Sequence, residues 1–389
     1  MAKKHFKTNN LVIICEGTET EFPYFEYIKE KIKNNFDDIK IVLSHEEKLA
    51  LDKFREQENR KLKKIAYKDN ECQKTYPLYI TLEECEDDVA KNYDKYKQAP
   101  AKYVREAYLW LKVKKYSEAW AVYDLDDTDD LDHKVHQRAN ELVNGIPLLN
   151  KAFSAYSFEE WILLNFERCP TAFRNSAFKK TKDQKASNNC KGRFCKHKSR
   201  CKSECIGDYL TRKCYVNDLC NKYSNKQSNE YNKNQVVNFA KAIYEDETLR
   251  HRAYVNAAWS RSLNNKLFYE CNPYSDVDKL IMRLLDEKKD IHWLKTSEKF
   301  KLGLNTFCIE QKNDALYISH IGTGNCVINK MQIYWCDDDY NFVTSAISGE
   351  NISFTMENNN DKQLILSDKS TILCIKETKQ EFYFENISI

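Results

Sequence analysis

Hydrophobic and polar positions follow two alternating patterns over the first 170 residues, and each pattern predicts a type of element. Short, nearly continuous apolar runs predict buried strands, and charged stretches with an apolar stripe at helical spacing predict helices. The predicted strands lie at 11–15, 40–44, 118–124 and 151–157. The predicted helices lie at 18–32, 46–67, 101–115, 133–143 and 158–167.

This alternation predicts an α/β fold with a parallel sheet and right-handed crossovers, carrying additional helices. Ligands of such sheets bind at the carboxyl ends of the strands. Two of the predicted strands end in acidic residues, at LVIICEG (11–17) and at EAWAVYDLDD (118–127). The acids are therefore expected at one edge of the sheet.

The rest of the chain has a different character. Residues 170–235 are polar, basic and rich in cysteine, residues 236–298 have helical patterning, and short β-rich runs separated by Asn, Asp and Gly begin near residue 305. Such runs predict an antiparallel, all-β sandwich-like domain. We therefore expect three regions with these boundaries: a catalytic core at 1–168 with a helical insertion at about 46–115, a basic Cys-rich and helical region at 169–298, and the β domain at 299–389.

Composition places the chain among folded proteins and indicates which part meets a polyanion. Of the 389 residues 42% are hydrophobic, and the net charge is +3. Residues 301–389 contain seven Lys and Arg against twelve Asp and Glu, so the positive charge lies in the first 300 residues. The apolar run near the amino terminus is too short for a signal peptide or a membrane span, which predicts a cytoplasmic protein. Its fifteen cysteines are then expected as thiols or metal ligands.

Glu16, Asp124 and Asp126 form the candidate catalytic and metal-binding set. Asp124 and Asp126 are two residues apart, so an extended strand would place both on one side and direct Leu125 into the core. Carboxylate oxygens are the ligands that Mg²⁺ and Mn²⁺ prefer, and a bound ion would serve phosphodiester hydrolysis. Solvated turn acids are the alternative interpretation, and an isolated Asp-x-Asp would favour it.

Several segments together resemble the RloB-like family, a branch of the Toprim superfamily related to the OLD defence nucleases. The resemblance covers about residues 10–290, and its motifs occur in the family's order. They are CEGTETEFPYF (15–25), WAVYDLDD (120–127), SFEEWILLNFE (157–167), YNKNQ (231–235) and NPYSDVDKLIMRLL (272–285).

The resemblance implies a Toprim-type metal-dependent endonuclease in which Glu16, Asp124 and Asp126 bind the metal. It implies that Glu21 assists, that Glu159 is a second metal ligand or base, and that Lys233 contacts phosphate. Alternatively, Glu159 is an acid without a catalytic role that is favoured at a helix N-terminus by the helix dipole. Lys233 is alternatively an ordinary surface lysine. The family is associated with anti-phage defence, often by abortive infection, and its relatives cut DNA or tRNA.

The insertion between 170 and 228 combines potential zinc ligands with positive charge. Cys190, Cys195, Cys201 and Cys205 are the first choice for a structural Zn²⁺ site, with His197 or Cys214 as substitutes, and unligated cysteines are the alternative. Residues 179–213 contain twelve Lys and Arg against three Asp and Glu. Such a segment is suited to binding phosphates. The candidate substrate-binding residues are Lys191, Arg193, Lys196, Lys198 and Arg200.

The predicted function is therefore cleavage of nucleic acid, with RNA, tRNA included, favoured over DNA. One alternative is a non-catalytic nucleic-acid-binding module with a zinc-stabilised basic insertion, and another is Toprim chemistry on nucleotides instead of polymers. No GxxxxGK[ST] phosphate-binding loop occurs in the sequence, so control by ATP would come from a separate ATPase or another defence protein. The oligomeric state is left open.

Overall fold

The protein is described from a computed structural model. It describes residues 9–17, 20–32, 36–44, 98–112, 114–125, 133–155, 157–170, 206, 209–210, 213, 215, 235–263, 273–303, 305–312, 315–321, 326–327, 331–346, 353–354, 362–365, 372–377 and 379–385. These residues belong to two compact units. The first unit comprises residues 1–250 and 266–286, and the second comprises residues 251–265 and 287–389.

The first unit alternates strands and helices along the chain. Its elements are β1 (Asn10–Cys15), α1 (Glu21–Lys31), β2 (Asp38–Leu43), α2 (Ala101–Lys112), β3 (Glu118–Asp124), α3 (His133–Gly145), β4 (Leu149–Ala155), α4 (Phe158–Leu164) and α5 (Val236–Glu245). The next helix, α6 (Glu247–Ser262), belongs to the first unit up to Arg250 and to the second from His251. The first unit then ends with β5 (Tyr274–Ser275) and α7 (Val277–Leu284).

The five strands form one sheet in the order β2-β1-β3-β4-β5. The first four strands in this order run parallel, whereas β5 pairs antiparallel with β4. Leu11 to Cys15 are completely buried, as expected for a strand in a sheet covered on both faces. Alternate residues such as Ile14, Tyr123 and Phe153 share a core with side chains of α2 and α3. The carboxyl ends of β1, β3 and β4 therefore lie side by side.

The second unit is mainly β. Its strands are β6 (Asp290–Leu294), β7 (Lys299–Leu302), β8 (Asn305–Lys312), β9 (Ala315–His320), β10 (Cys326–Val327), β11 (Gln332–Cys336), β12 (Phe342–Ser345), β13 (Ser353–Phe354), β14 (Lys362–Ile365), β15 (Ile372–Glu377) and β16 (Gln380–Glu385). They form sheets in the orders β12-β11-β15-β16-β6 and β14-β9-β8-β7, and β10 pairs with β13. The two larger sheets share one core, to which Phe307, Trp335 and Phe382 contribute.

The predicted α/β class with parallel strands, followed by antiparallel sheets, is confirmed, with three corrections. The region 236–298, predicted to be helical, contains strand β6, which joins the second unit's sheet before the predicted boundary at 299. Strand β6 pairs parallel with β16, so this sheet is not purely antiparallel. The parallel sheet of the first unit likewise has an antiparallel edge strand, β5. The predicted helix at 46–67 lies outside the described residues. None of the described helices is long and apolar enough to cross a membrane.

Candidate active site

Glu16 and Asp124 meet at the carboxyl edge of the parallel sheet. Glu16 directly follows β1, and its backbone N–H donates to Val122 O at 3.0 Å, which holds the end of β1 against β3. Its carboxylate Oε2 accepts a hydrogen bond from the backbone N–H of Asp124 at 2.9 Å. Two predicted site residues that are 108 positions apart in the sequence are thus neighbours in space.

The other oxygen of Glu16 is held from a helix. Tyr103, in the first turns of α2, donates its phenolic O–H to Glu16 Oε1 at 3.1 Å. A donor therefore contacts each carboxylate oxygen, so the orientation of the side chain is fixed from two sides. Hydrogen bonds to an ionised acceptor are stronger than neutral ones, and each oxygen retains lone-pair capacity for a cation.

Glu21 packs against the turn that follows Glu16. It is the first residue of α1 and is almost completely buried. A β-carbon added at Gly17 would lie 2.0 Å from Glu21 Oε2, so only glycine leaves room for this carboxylate. Thr20 donates its hydroxyl to the same oxygen. The Glu-Gly motif therefore brings a second acid next to residue 16.

Burial and the nearby acids raise the pKa of two neighbouring groups at this edge of the sheet. Burial raises the pKa of the Cys15 thiol, and the nearby Glu21 and Glu26 raise it further. Burial likewise raises the pKa of the Tyr123 phenol, with contributions from Asp276 and Glu16. A bound cation would offset the repulsion among acids held this close.

Glu159 lies at the same edge of the sheet by topology. It is in the first turn of α4, which begins just after β4, the neighbour of β3. Its side chain is buried, and its Oε2 accepts a hydrogen bond from Ser157 Oγ at 2.6 Å. An acid placed only to favour a helix N-terminus does not need this burial.

Glu160 was not singled out from the sequence. It is completely buried, burial raises its pKa well above the ordinary value, and neither carboxyl oxygen has a hydrogen-bond partner among the described residues. The sequence signal that could have identified Glu160 is the pair of adjacent acids, Glu159 and Glu160, in a short and otherwise apolar helix. Tyr103 was also missed, because its helix has the stripe of an ordinary packing surface.

The donor set of hard carboxylate oxygens fits Mg²⁺ or Mn²⁺. Within the described residues no group of three or more His, Cys, Asp or Glu is placed to hold a metal, and the predicted set includes Asp126, which lies outside them. Lys233 also lies outside the described residues. The same is true of the predicted zinc ligands Cys190, Cys195, Cys201 and Cys205 and of the basic residues Lys191, Arg193, Lys196, Lys198 and Arg200.

Comparison with known families finds one match, which covers most of the first unit. The family model described as "RloB-like protein" matches residues 11–284, which is well over half of the chain. The chain belongs to the RloB-like family. No curated protein and no solved structure matches the sequence. The RloB-like region contains Glu16, Glu21, Asp124 and Glu159, and it ends before strand β6.

Proposed function

We propose that this RloB-like protein is a divalent-metal-dependent nuclease with a Toprim-type carboxylate site. Glu16, Asp124 and Asp126 would hold Mg²⁺ or Mn²⁺, and Glu21 and Glu159 would assist. Membership of the RloB-like family supports the proposal, and so does the basic segment at 179–213, which suits a polyanionic substrate.

One observation carries the proposal: the hydrogen bond from the backbone N–H of Asp124 to Glu16 Oε2. It brings the end of β3 to the end of β1, at the edge where parallel α/β sheets bind ligands. Glu21 adds a third carboxylate next to this pair through its contact with Gly17. Acidic residues from three separate elements therefore lie at one edge of the sheet.

Different residues of the chain would orient the metal ligand, contact the substrate and assist hydrolysis. Tyr103 and the Asp124 N–H hold Glu16 in one orientation, so that its ligating oxygens need no rearrangement. Lys233 and the lysines and arginines of 179–213 would contact phosphates. When bound, the divalent ion shields the negative charge of the phosphodiester and lowers the pKa of a coordinated water. Glu159, buried beside Ser157, would serve as the second ligand or as the base.

A cleavage assay on the full chain tests the proposal. Purified protein is incubated with tRNA, single-stranded RNA and duplex DNA, each with Mg²⁺, Mn²⁺ or a chelator. We expect metal-dependent cleavage, with RNA preferred, and its loss in Asp124→Asn and Glu16→Gln. Glu141→Gln is the matched control, because Glu141 is exposed on α3 and contacts Gln137. Cleavage that persists in both site variants would overturn the proposal.

The same assay addresses the non-catalytic alternative. A binding module would retain nucleic acid in filter or gel-shift experiments and yield no product under any metal condition. Under our proposal Asp124→Asn separates the two properties, since it abolishes cleavage and leaves binding largely intact. A role in anti-phage defence, including the involvement of a separate ATPase or other defence protein, is tested by phage challenge of cells that express the wild type or Asp124→Asn.

A further inference from the structure

Glu167, the last residue of the motif SFEEWILLNFE, has no role in the proposed metal site, yet three side chains of the cysteine-rich insertion converge on its carboxylate. Tyr209 donates its phenolic O–H to Oε1, and Tyr215 donates its phenolic O–H to Oε2 at 2.6 Å. Lys213 Nζ lies 3.7 Å from Oε2. We call Glu167, Tyr209, Lys213 and Tyr215 together the clamp.

The two phenols contribute more to the clamp than the lysine does. A hydrogen bond to an ionised carboxylate is shorter and stronger than a bond between neutral groups, whereas exposed ion pairs contribute little. Lys213 is 44% exposed in its side chain. Burial raises the pKa of the Tyr209 phenol, and the hydrogen bond to Glu167 raises it further. The phenol therefore keeps its proton and remains a donor to Glu167.

Aromatic packing joins the clamp to helix α5. The ring of Phe166 stacks on the ring of Tyr215, with 4.5 Å between the centroids and 4° between the planes. Phe166 also contacts Phe239 of α5 edge to face at 5.9 Å, and Phe239 is completely buried. Aromatic pairs in these geometries stabilise a contact beyond the area that they bury. Tyr215 is therefore held by its ring as well as by its hydroxyl.

The clamp closes a loop of the insertion at its base. The chain leaves α4 through Glu167 and the buried Cys169, and the hydroxyl of Tyr209 interacts with both of these side chains. Ile206 and Leu210, which flank Tyr209, are completely buried in the first unit. The two ends of the loop are therefore in contact. All five candidate phosphate-binding cations lie between these ends in the sequence, at 191–200.

A closed base keeps the cations of the loop near the unit to which the loop is attached. The local concentration of a tethered group falls roughly as the −3/2 power of the length of its tether. The loop runs from 167 to 209 with the clamp in place, and without the clamp the next described residue is Gln235. This longer tether alone would lower the local concentration about twofold. Loss of a preorganised base adds to the cost of binding.

We propose that Glu167 is a positioning residue that, through Tyr209 and Tyr215, holds the basic loop where it binds the phosphates of a nucleic acid. The inference rests on the proposed function, because it takes the same polyanion as the substrate. It separates two tasks within one motif, since Glu159 assists the metal site and Glu167 serves substrate binding. Contacts of this kind are made to the backbone of the nucleic acid and are largely independent of its sequence.

Binding and cleavage measurements on the full chain test the inference. Tyr209→Phe combined with Tyr215→Phe removes both donors and keeps both rings. Binding of single-stranded RNA is measured with a chelator present, so that metal-dependent cleavage does not interfere. We expect Kd to rise at least about twofold, with an unchanged dependence on salt because the number of phosphate contacts is the same. In the cleavage assay KM should rise, while kcat and the Mn²⁺ requirement stay as in the wild type.

A second background shows whether the clamp acts through the loop. Where the five cations are replaced with Gln, the two tyrosine changes should have no further effect on Kd, because the groups that the clamp positions are already absent. The five are Lys191, Arg193, Lys196, Lys198 and Arg200. Glu167→Gln is a further variant, which should raise Kd in the otherwise unchanged chain because it removes the charge that both phenols contact.

Tyr116→Phe is the matched control, since the Tyr116 phenol also donates to a carboxylate at 2.6 Å, that of Asp38, outside the clamp. Thermal melting establishes that each variant is folded, and Glu167→Gln provides the test if the double tyrosine variant is not. An unchanged Kd in a folded clamp variant, or an equal further rise in the five-Gln background, would overturn the inference and leave the nuclease proposal in place. Binding that depends on the clamp, in a protein that cleaves with neither metal, would overturn the nuclease proposal alone. A wild type that neither binds nor cleaves nucleic acid would overturn both.

Discussion

The phenol of Tyr103 donates a hydrogen bond to Glu16 across 87 positions of sequence. This contact shows that α2, whose buried side chains pack against the sheet, also reaches the acidic edge with one polar group. The contact is made to one carboxylate oxygen, and the backbone N–H of Asp124 contacts the other. Removal of either donor should loosen Glu16 without removing its charge.

Tyr103→Phe removes only the donor to Glu16 Oε1. We expect the concentration of Mg²⁺ or Mn²⁺ for half-maximal cleavage to rise by about 10- to 100-fold, because Glu16 loses a group that orients it. The measurement is a metal titration of the cleavage rate. Tyr116→Phe is the control, since Tyr116 donates to Asp38 at the opposite end of the sheet. An equal response of the two variants would show that Tyr103 has no particular role.

Gly17→Ala should displace Glu21. The new methyl group would lie 2.0 Å from Glu21 Oε2 and 2.8 Å from Cδ, and the buried side chain has little space in which to move. We expect cleavage to fall by more than about tenfold and stability to fall by about 1–3 kcal/mol, the usual cost of overpacking. Gly145→Ala is the control, because an added β-carbon there meets nothing within 4 Å. Urea unfolding and initial cleavage rates measure the two effects.

Asp276 should make stability depend on pH in the acid range. Burial opposes its ionisation, but the charges of Lys151 and Lys279 and the hydrogen bonds from Lys151 and from the Phe153 N–H together outweigh burial, so the pKa of the carboxyl is below its ordinary value. A lowered folded pKa gives stability that is present above the ordinary pKa of about 3.9 and lost as the pH falls through the folded value.

Asp276→Asn should therefore be less stable than the wild type at pH 7 by about 3–5 kcal/mol, because Lys151 is left without its buried partner. The difference should shrink as the pH falls below about 4. Urea unfolding at pH 7 and in the acid range measures it. Asp286→Asn, an exposed substitution at the end of α7, should leave stability unchanged at both values. A constant difference across the pH range would contradict the assignment.

Zinc in the cysteine-rich insertion remains a prediction. We expect about one Zn²⁺ per chain by elemental analysis, because four thiolates complete a tetrahedral structural site. Cys190→Ser combined with Cys195→Ser should abolish the zinc content. Cys72→Ser combined with Cys85→Ser is a matched control outside the insertion. If wild-type protein that is purified without chelators contains no zinc, the predicted zinc site is wrong.

The basic segment should determine how nucleic-acid binding depends on salt. The slope of log K against log salt changes by about 0.7 for each phosphate contact to a single strand. Replacing five cations with Gln should therefore reduce the slope by up to about 3.5. The five are Lys191, Arg193, Lys196, Lys198 and Arg200. Five Lys→Gln changes in the acidic region form the control, at Lys301, Lys312, Lys330, Lys362 and Lys369.

The sequence was sufficient to predict the strands that carry the acids. Unbroken apolar runs such as Leu11–Cys15 are buried from both faces, and alternation with helices implies parallel strands whose carboxyl ends share an edge. The proximity of Glu16 and Asp124 followed from these two regularities. Leu125, expected in the core, is buried there.

The contacts that orient the acids were not predictable in the same way. Strand β5 has two residues, which is too short for any hydrophobic period to be recognised, and β6 lies beside helical patterning. Pairing register and side-chain direction depend on tertiary packing, so the hydrogen bond between Tyr103 and Glu16 could not be predicted from the sequence alone. The role of Gly17 was likewise visible only once Glu21 was placed against it.

The chain passes from the first unit to the second, returns to the first and then enters the second again, which affects the design of truncated fragments. Residues 251–265 belong with the β sheets, yet Tyr274–Asp276 returns to the parallel sheet afterwards. A fragment that stops at 286 would keep the helix whose His251 and Asn256 bond to Tyr383 and Tyr340, and would lack both tyrosines. Cleavage of the chain at any one position therefore cannot yield two intact units, and loss of the carboxy-terminal region through a premature stop codon should also reduce the solubility of the first unit.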